Sequence, residues 1–139
     1  GNYTLIDDTY NANPLSMRRA IAAVAESAKG RPLALVLGEM REMGGHAEVE
    51  HARMGEAAAQ SGAKAVFYHG AHADKVAEGL SRQGYVGVFA EVETPDAFLE
   101  TLAATGISGG VFLFKGSRSM HMEQYLAAMT QSIHKDVKE

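Results

Sequence analysis

The strongest constraint on this chain is an alternation of two kinds of segment. Short β-rich apolar runs occur at residues 3–7, 33–37, 65–68, 86–89 and 111–114, and helical patterns fill the intervals between them. The runs are nearly continuous in apolar character, which is the pattern of strands covered on both faces. In the intervals, Met17, Ile21, Val24 and Ala28 share one helix face, as do Ala73, Val76, Ala77 and Leu80, and then Phe98 and Leu102. The clearest stripe is Met122, Tyr125, Leu126, Met129 and Ile133, while residues 48–61 form an Ala-rich segment with a weak stripe of Met54, Ala57 and Ala58. Strand–helix alternation with connections this short predicts βαβ units.

The punctuation agrees. Asn13 before Pro14 reads as an N-cap followed by a first-turn proline, and Thr94-Pro95-Asp96 opens a second helix in the same way. Gly30 and Gly62 fall where C-terminal glycines belong. The expected fold class is α/β: a three-layer, Rossmann-like, open and mostly parallel sheet with helices on both faces. At 139 residues and 46% hydrophobic content the chain suffices for one core, so residues 1–139 read as a single domain without repeat or linker. Only the tail, residues 134–139, is expected to be solvated and frayed.

Several classes drop out on composition. No apolar run approaches the ~18 residues of a membrane span, and the N-terminus lacks a basic-then-apolar signal pattern, so no membrane partner is expected. A net charge of -4 disfavours a broad grip on nucleic acid. The absence of Cys removes thiolate chemistry and suits a reducing, cytoplasmic setting. The chain opens Gly1-Asn2 and enters an apolar run almost at once, which is expected of a piece of something longer.

Ligands of open α/β sheets gather beyond the carboxyl ends of the strands. After the first strand comes Asp7-Asp8-Thr9-Tyr10-Asn11-Ala12-Asn13-Pro14, dense in groups that can accept ribose hydroxyls or donate amide hydrogens. Asn13 also has the plainer role of a helix cap. After the fifth strand comes Lys115-Gly116-Ser117-Arg118, where a glycine, a following helix and two cations suggest a compact site for a carboxylate or phosphate. This is not a Walker A loop, because Gly-Lys-Ser/Thr occurs nowhere in the chain. Of the six histidines, His46 and His51 are five residues apart rather than the four of a zinc-binding pair, and His69 and His72 lack a third partner. No intrinsic metal site is expected. Met17, Met54, Met122 and Met129 follow helical spacing and read as core.

Together these strand-end blocks resemble the C-terminal domain of the Mur ligase family. The stretch from Asp7 to Met17 is similar to the signature that opens that domain. Leu37-Gly38-Glu39-Met40 with Glu42 and Gly44 is similar to its Leu-Gly-Asp-Met-x-Glu-Leu-Gly block, and His51 with Gly55 to its His-x-x-x-Gly. Lys115-Gly116-Ser117-Arg118 with Met122-Glu123 is similar to its terminal Lys-Gly-Ser-Arg-x-x-x-Met-Glu. Glu39 and Met43 depart conservatively from Asp and Leu; Glu39 is one methylene longer, which can shift a contact made there. Within the family, the blocks look most like the branch that adds D-Ala-D-Ala to UDP-MurNAc-tripeptide.

The resemblance implies a three-domain, cytoplasmic enzyme in which an N-terminal domain binds the UDP-sugar substrate and a central domain carries the P-loop. ATP and Mg²⁺ would be held mainly by that central domain, and both domains are absent from these 139 residues. The whole enzyme would activate the tripeptide carboxylate as an acyl phosphate, which the dipeptide amine attacks. On this reading Lys115, Ser117, Arg118 and Asn13 bind the dipeptide, while Asp8, Tyr10 and Asn11 face ATP when the domain closes. No catalytic acid or base and no metal ligand is assigned to this chain, and the fragment alone is expected to be inactive. Three alternatives remain. The chain can be the matching domain of another Mur-type or folylpolyglutamate-type ligase, a free-standing binding module, or a receiver-like signalling domain. The last has paired acids after its first strand and a Lys after its fifth, but it needs an Asp where this chain has Tyr68-His69-Gly70.

Overall fold

A computed structural model describes residues 2–138, with side chains through His134. Gly1 and Glu139 lie outside the described residues, so the expectation placed on the chain's opening is carried from Asn2 onward. Five strands, β1 (Tyr3–Asp8), β2 (Leu33–Gly38), β3 (Ala65–His69), β4 (Val88–Glu91) and β5 (Gly110–Lys115), alternate with α1 (Pro14–Ala28), α2 (Ala47–Gln60), α3 (Ala73–Arg82), α4 (Pro95–Thr105) and α5 (Glu123–Lys138). The sheet order is β1-β5-β2-β3-β4, and every pairing is parallel. The expected α/β class is found. The tail expected to fray is helical in its backbone to Lys138.

Period-2 alternation in the strands sorts the core into two layers. Leu35, Leu37, Val66, Tyr68, Val111 and Leu113 point to one face, where Met17, Ile21 and Val24 of α1, Met54 of α2, and Val76 and Leu80 of α3 cover them. Ala34, Val36, Ala65, Phe67, Phe112 and Phe114 point to the other, against Phe98 of α4 and Met122, Tyr125 and Met129 at α5. That second layer is aromatic: Phe98 meets Phe67, Phe114 and Tyr125 edge-on at ring separations of 5.0, 6.1 and 5.9 Å.

Two sequence expectations need correction. Only the three inner strands, β2, β3 and β5, are covered on both faces. The edge strands β1 and β4 are half-exposed, because each has a neighbour on one side only. The fourth strand also begins two residues later than the apolar run suggests. Val86 is 98% exposed, since the Tyr85 hydroxyl turns inward to donate to Ala63 O and Val88 O at 3.0 and 3.3 Å. Pairing starts at Val88, whose N–H donates to Lys64 O.

The caps behave as read. Asn13 Oδ1 accepts from Ser16 N at 2.9 Å while Ser16 Oγ accepts from Asn13 N at 3.0 Å, a reciprocal capping box. Thr94 Oγ1 accepts from Ala97 N at 3.1 Å. The strand order also bears on the signalling-domain alternative. In the doubly wound order 2-1-3-4-5 the first strand is internal, whereas β1 here is an edge strand beside β5.

Candidate functional site

Inserting β5 between β1 and β2 brings three strand ends together. Asp8 and Lys115 are register partners, so the loops that follow them are neighbours although more than a hundred residues apart. Lys115 Nζ donates to Asp8 Oδ2 and to Asn11 O, each at 2.9 Å. Its side chain is only 4% exposed, against 43% for Asp8. Lys115 therefore ties the first-strand loop to the end of β5, with two of its three ammonium N–H groups engaged within the chain. Next to it, Asp7 Oδ1 accepts from Thr9 N and Oγ1 at 3.2 and 2.7 Å, and Asn11 Oδ1 accepts from Ala12 N at 2.8 Å. The turn is shaped by its own side chains.

Ser117 is also occupied internally. Its N–H donates to Glu39 O at 3.2 Å, and its Oγ accepts from Arg41 N at 2.7 Å. Space at this corner is tight: a Cβ on Gly116 would meet Met122 Cγ at 2.7 Å and the Gly38 Cα at 2.9 Å. Glycine at both positions lets the ends of β2 and β5 close over Met122. Arg118, by contrast, is exposed and paired with Glu123 Oε2 at 3.0 Å. The Glu123 carboxyl is held below its ordinary value, first by the backbone N–H at the start of α5 and further by Arg118 and His121, against a partial desolvation.

Two open clefts flank Asp8. One, of ≈ 380 Å³, is lined by Asp7, Asp8, Thr9, Tyr10, Arg118 and Glu123. The other, of ≈ 550 Å³, is lined by Asp8, Asn13, Leu15, Ser16, Arg19 and Lys115, among others. The structure thus brings Asp8, Tyr10 and Arg118 to one cleft and Asp8, Asn13 and Lys115 to the next. The compact two-cation anion site read from Lys115 and Arg118 is not formed, because the two side chains serve different clefts and Lys115 is buried against Asp8. Tyr10 is 80% exposed and presents its ring to solvent.

Arg19 was not singled out from sequence. Its position at helical spacing from Ser16 on α1 is the signal that would have found it. Glu39, the longer departure, reaches sideways: Oε1 accepts from Ala71 N at 3.0 Å and Oε2 lies 3.6 Å from Arg41 Nε. Among the described residues, no group of three His, Asp or Glu side chains converges as a metal cage, and no helix is long and apolar enough to cross a membrane.

Comparison with known proteins gives one consistent answer. The family described as "Mur ligase, glutamate ligase domain" matches residues 1–118. UDP-N-acetylmuramoyl-tripeptide–D-alanyl-D-alanine ligase of Escherichia coli K12 is 35% identical over 133 residues, covering 94% of this chain and 28% of the relative. A crystal structure of MurF from Acinetobacter baumannii superimposes with a TM-score of 0.73 at 34% identity, covering 93% of this chain and 28% of that one. MurF ligase from Thermotoga maritima, solved in complex with ADP, gives a TM-score of 0.69 at 24% identity over 95% of this chain and 29% of its own, a likeness that carries the fold alone. The chain therefore spans a little over a quarter of the length of these relatives.

Proposed function

The chain belongs to the Mur ligase family, matching its glutamate ligase domain, and from that premise we propose that it is the C-terminal domain of an ATP-dependent ligase adding D-Ala-D-Ala to UDP-MurNAc-tripeptide. The name borne by the E. coli relative supports this reading. The observation that carries it is the cleft at the ends of β1 and β5, which Arg118 lines together with Asp7, Asp8, Tyr10 and Glu123. A dipeptide is a zwitterion. A guanidinium can bind its carboxylate in a forked pair of hydrogen bonds, while the carboxylates that line the same cleft favour its ammonium end.

In this proposal Arg118, whose pairing with Glu123 is solvent-exposed and exchangeable, holds the dipeptide carboxylate, with Ser117 and Asn13 bordering the same strand-end surface. Asp8, Tyr10 and Asn11 face the nucleotide when the domain closes on its neighbours. Lys115 contributes by fixing the Asp8–Asn11 turn rather than by meeting the ligand as a free cation. ATP and Mg²⁺ are assigned mainly to a central domain outside these residues, since a Gly-Lys-Ser/Thr phosphate loop does not occur in these 139 residues. Peptidoglycan precursor synthesis in the cytoplasm is the setting this implies. Closure would hold the amine against the activated carboxylate and exclude water.

The test uses the complete reading frame that contains this chain. ADP release should depend on both D-Ala-D-Ala and the UDP-sugar tripeptide. Arg118→Ala should raise the dipeptide KM by roughly ten- to a hundredfold, the loss of a charge-assisted pair of hydrogen bonds. Turnover indifferent to the dipeptide, or a KM untouched by Arg118→Ala, would sink the assignment.

A further inference from the structure

One motif shared with the family has no part in the site so far. His51 lies on α2, is fully buried, and makes two hydrogen bonds of opposite sense. Its Nδ1–H donates to Ala47 O at 2.7 Å, so Nε2 carries the lone pair that accepts from Met40 N at 3.0 Å. That fixes the neutral, Nδ1-protonated tautomer. Met40 is the middle of a three-residue strap, residues 39–41, running from the end of β2. Its flanking residues both hold Ser117: Glu39 O accepts from Ser117 N, and Arg41 N donates to Ser117 Oγ. The imidazole thus holds the centre of the strap whose two neighbours grip the residue before Arg118.

We propose that His51 is the positioning residue of the Ser117–Arg118 loop, acting through the strap at residues 39–41, and that protonation of its Nε2 releases that loop. A proton on Nε2 would set one N–H against another at Met40, turning an acceptor into a repelling donor. The groups that face the ring limit when this happens. His72, at the start of α3, stacks on it at 4.8 Å, and Tyr68 of β3 meets it edge-on at 6.2 Å. His72 opposes a second positive charge, whereas Glu39 beyond β2 and Glu50 on α2 favour one. Burial outweighs these and keeps the ring neutral below its ordinary value. The functional importance of the loop rests on the ligase reading above; the coupling from His51 to the loop does not.

The experiment follows backbone amide exchange and imidazole nitrogen shifts by NMR on the 139-residue chain. The pH is lowered until the His51 ring reports protonation. Protection at Met40, Arg41 and Ser117 should fall together by roughly tenfold, the effect of losing one net hydrogen bond, while amides of β2 and β5 keep theirs. His51→Gln, which places an amide oxygen near the Nε2 position but cannot titrate, should keep the three amides protected over the same range. Protection that is indifferent to His51 protonation, or lost no sooner than in the core strands, overturns the proposal, as does a ring found protonated on Nε2 at neutral pH. In the complete ligase, protonation should raise the dipeptide KM with little change in kcat. Coupled amides with an unmoved KM would confirm the strap and count against Arg118 as the dipeptide receptor.

Discussion

At the scale of the single residue, the ion pair between Lys115 and Asp8 is asymmetric in a way that decides what mutation does. The ammonium is buried and the carboxylate is nearly half-exposed. Asp8→Ala leaves a charge in the interior with only a backbone carbonyl for company, and should cost about 3 kcal/mol. Lys115→Met lets Asp8 return to water and should cost only about 1 kcal/mol. Urea unfolding of the two variants orders them; equal losses would show that the pair is not buried as described. His51 gives a second prediction, on pH. Because burial depresses its folded value below 6.5, the unfolded chain binds a proton that the folded chain does not in the interval just below 6.5. Stability from this group is therefore full above that pH and declines as pH falls through the interval toward the folded value. The urea midpoint of the wild type should drop on acidification by more than that of His51→Gln. The Tyr85 and Tyr125 hydroxyls, raised to about 12 by burial, remain protonated throughout and add nothing to this profile.

At the scale of the element, the helices were legible where the signal was local. Asn13-Pro14 and Thr94-Pro95 announce α1 and α4 because a cap is a contact over three residues. The glycines inside α2 and α3 are the opposite case. Gly55 and Gly79 weaken isolated helices by propensity, and nothing near them in sequence explains their presence. The structure does: a Cβ on Gly55 would sit 2.1 Å from Val76 O, and one on Gly79 would sit 1.9 Å from Ala52 O. The two helices touch backbone to backbone, which also explains why the glycine of the His-x-x-x-Gly pattern is there. Gly55→Ala or Gly79→Ala should each destabilise by about 3 kcal/mol through forced separation of α2 and α3, whereas Gly45→Ala, with open space around it, should be close to neutral. Thermal unfolding of the three variants checks the contrast. The late start of β4 was hidden for a related reason: Val86 and Val88 are equally apolar in sequence, and only the inward turn of Tyr85 assigns one to solvent and the other to the sheet.

At the scale of the whole molecule, the chain should fold with its strand-end surface formed but should neither hydrolyse ATP nor ligate, since the proposed nucleotide-binding loop lies in another domain. Phosphate release by the pure 139-residue chain would contradict this. The sequence by itself determined the α/β class, the five strand positions to within two residues, the capped helix starts, and the loops in which chemistry should be sought. All of these follow from periodicity and spacing within about twenty residues. Only the tertiary structure decided that β5 returns between β1 and β2, and that decision made the site. It set Lys115 against Asp8 and Asn11, gave Ser117 to Glu39 and Arg41, and left Arg118 on the surface in a cleft that Tyr10 also lines. A reading of Lys115 and Arg118 as one anion nest was natural because they are three residues apart. The partners that draw Lys115 and Ser117 inward, away from Arg118, come from the first forty-one residues, a distance over which local pattern carries no information about contact.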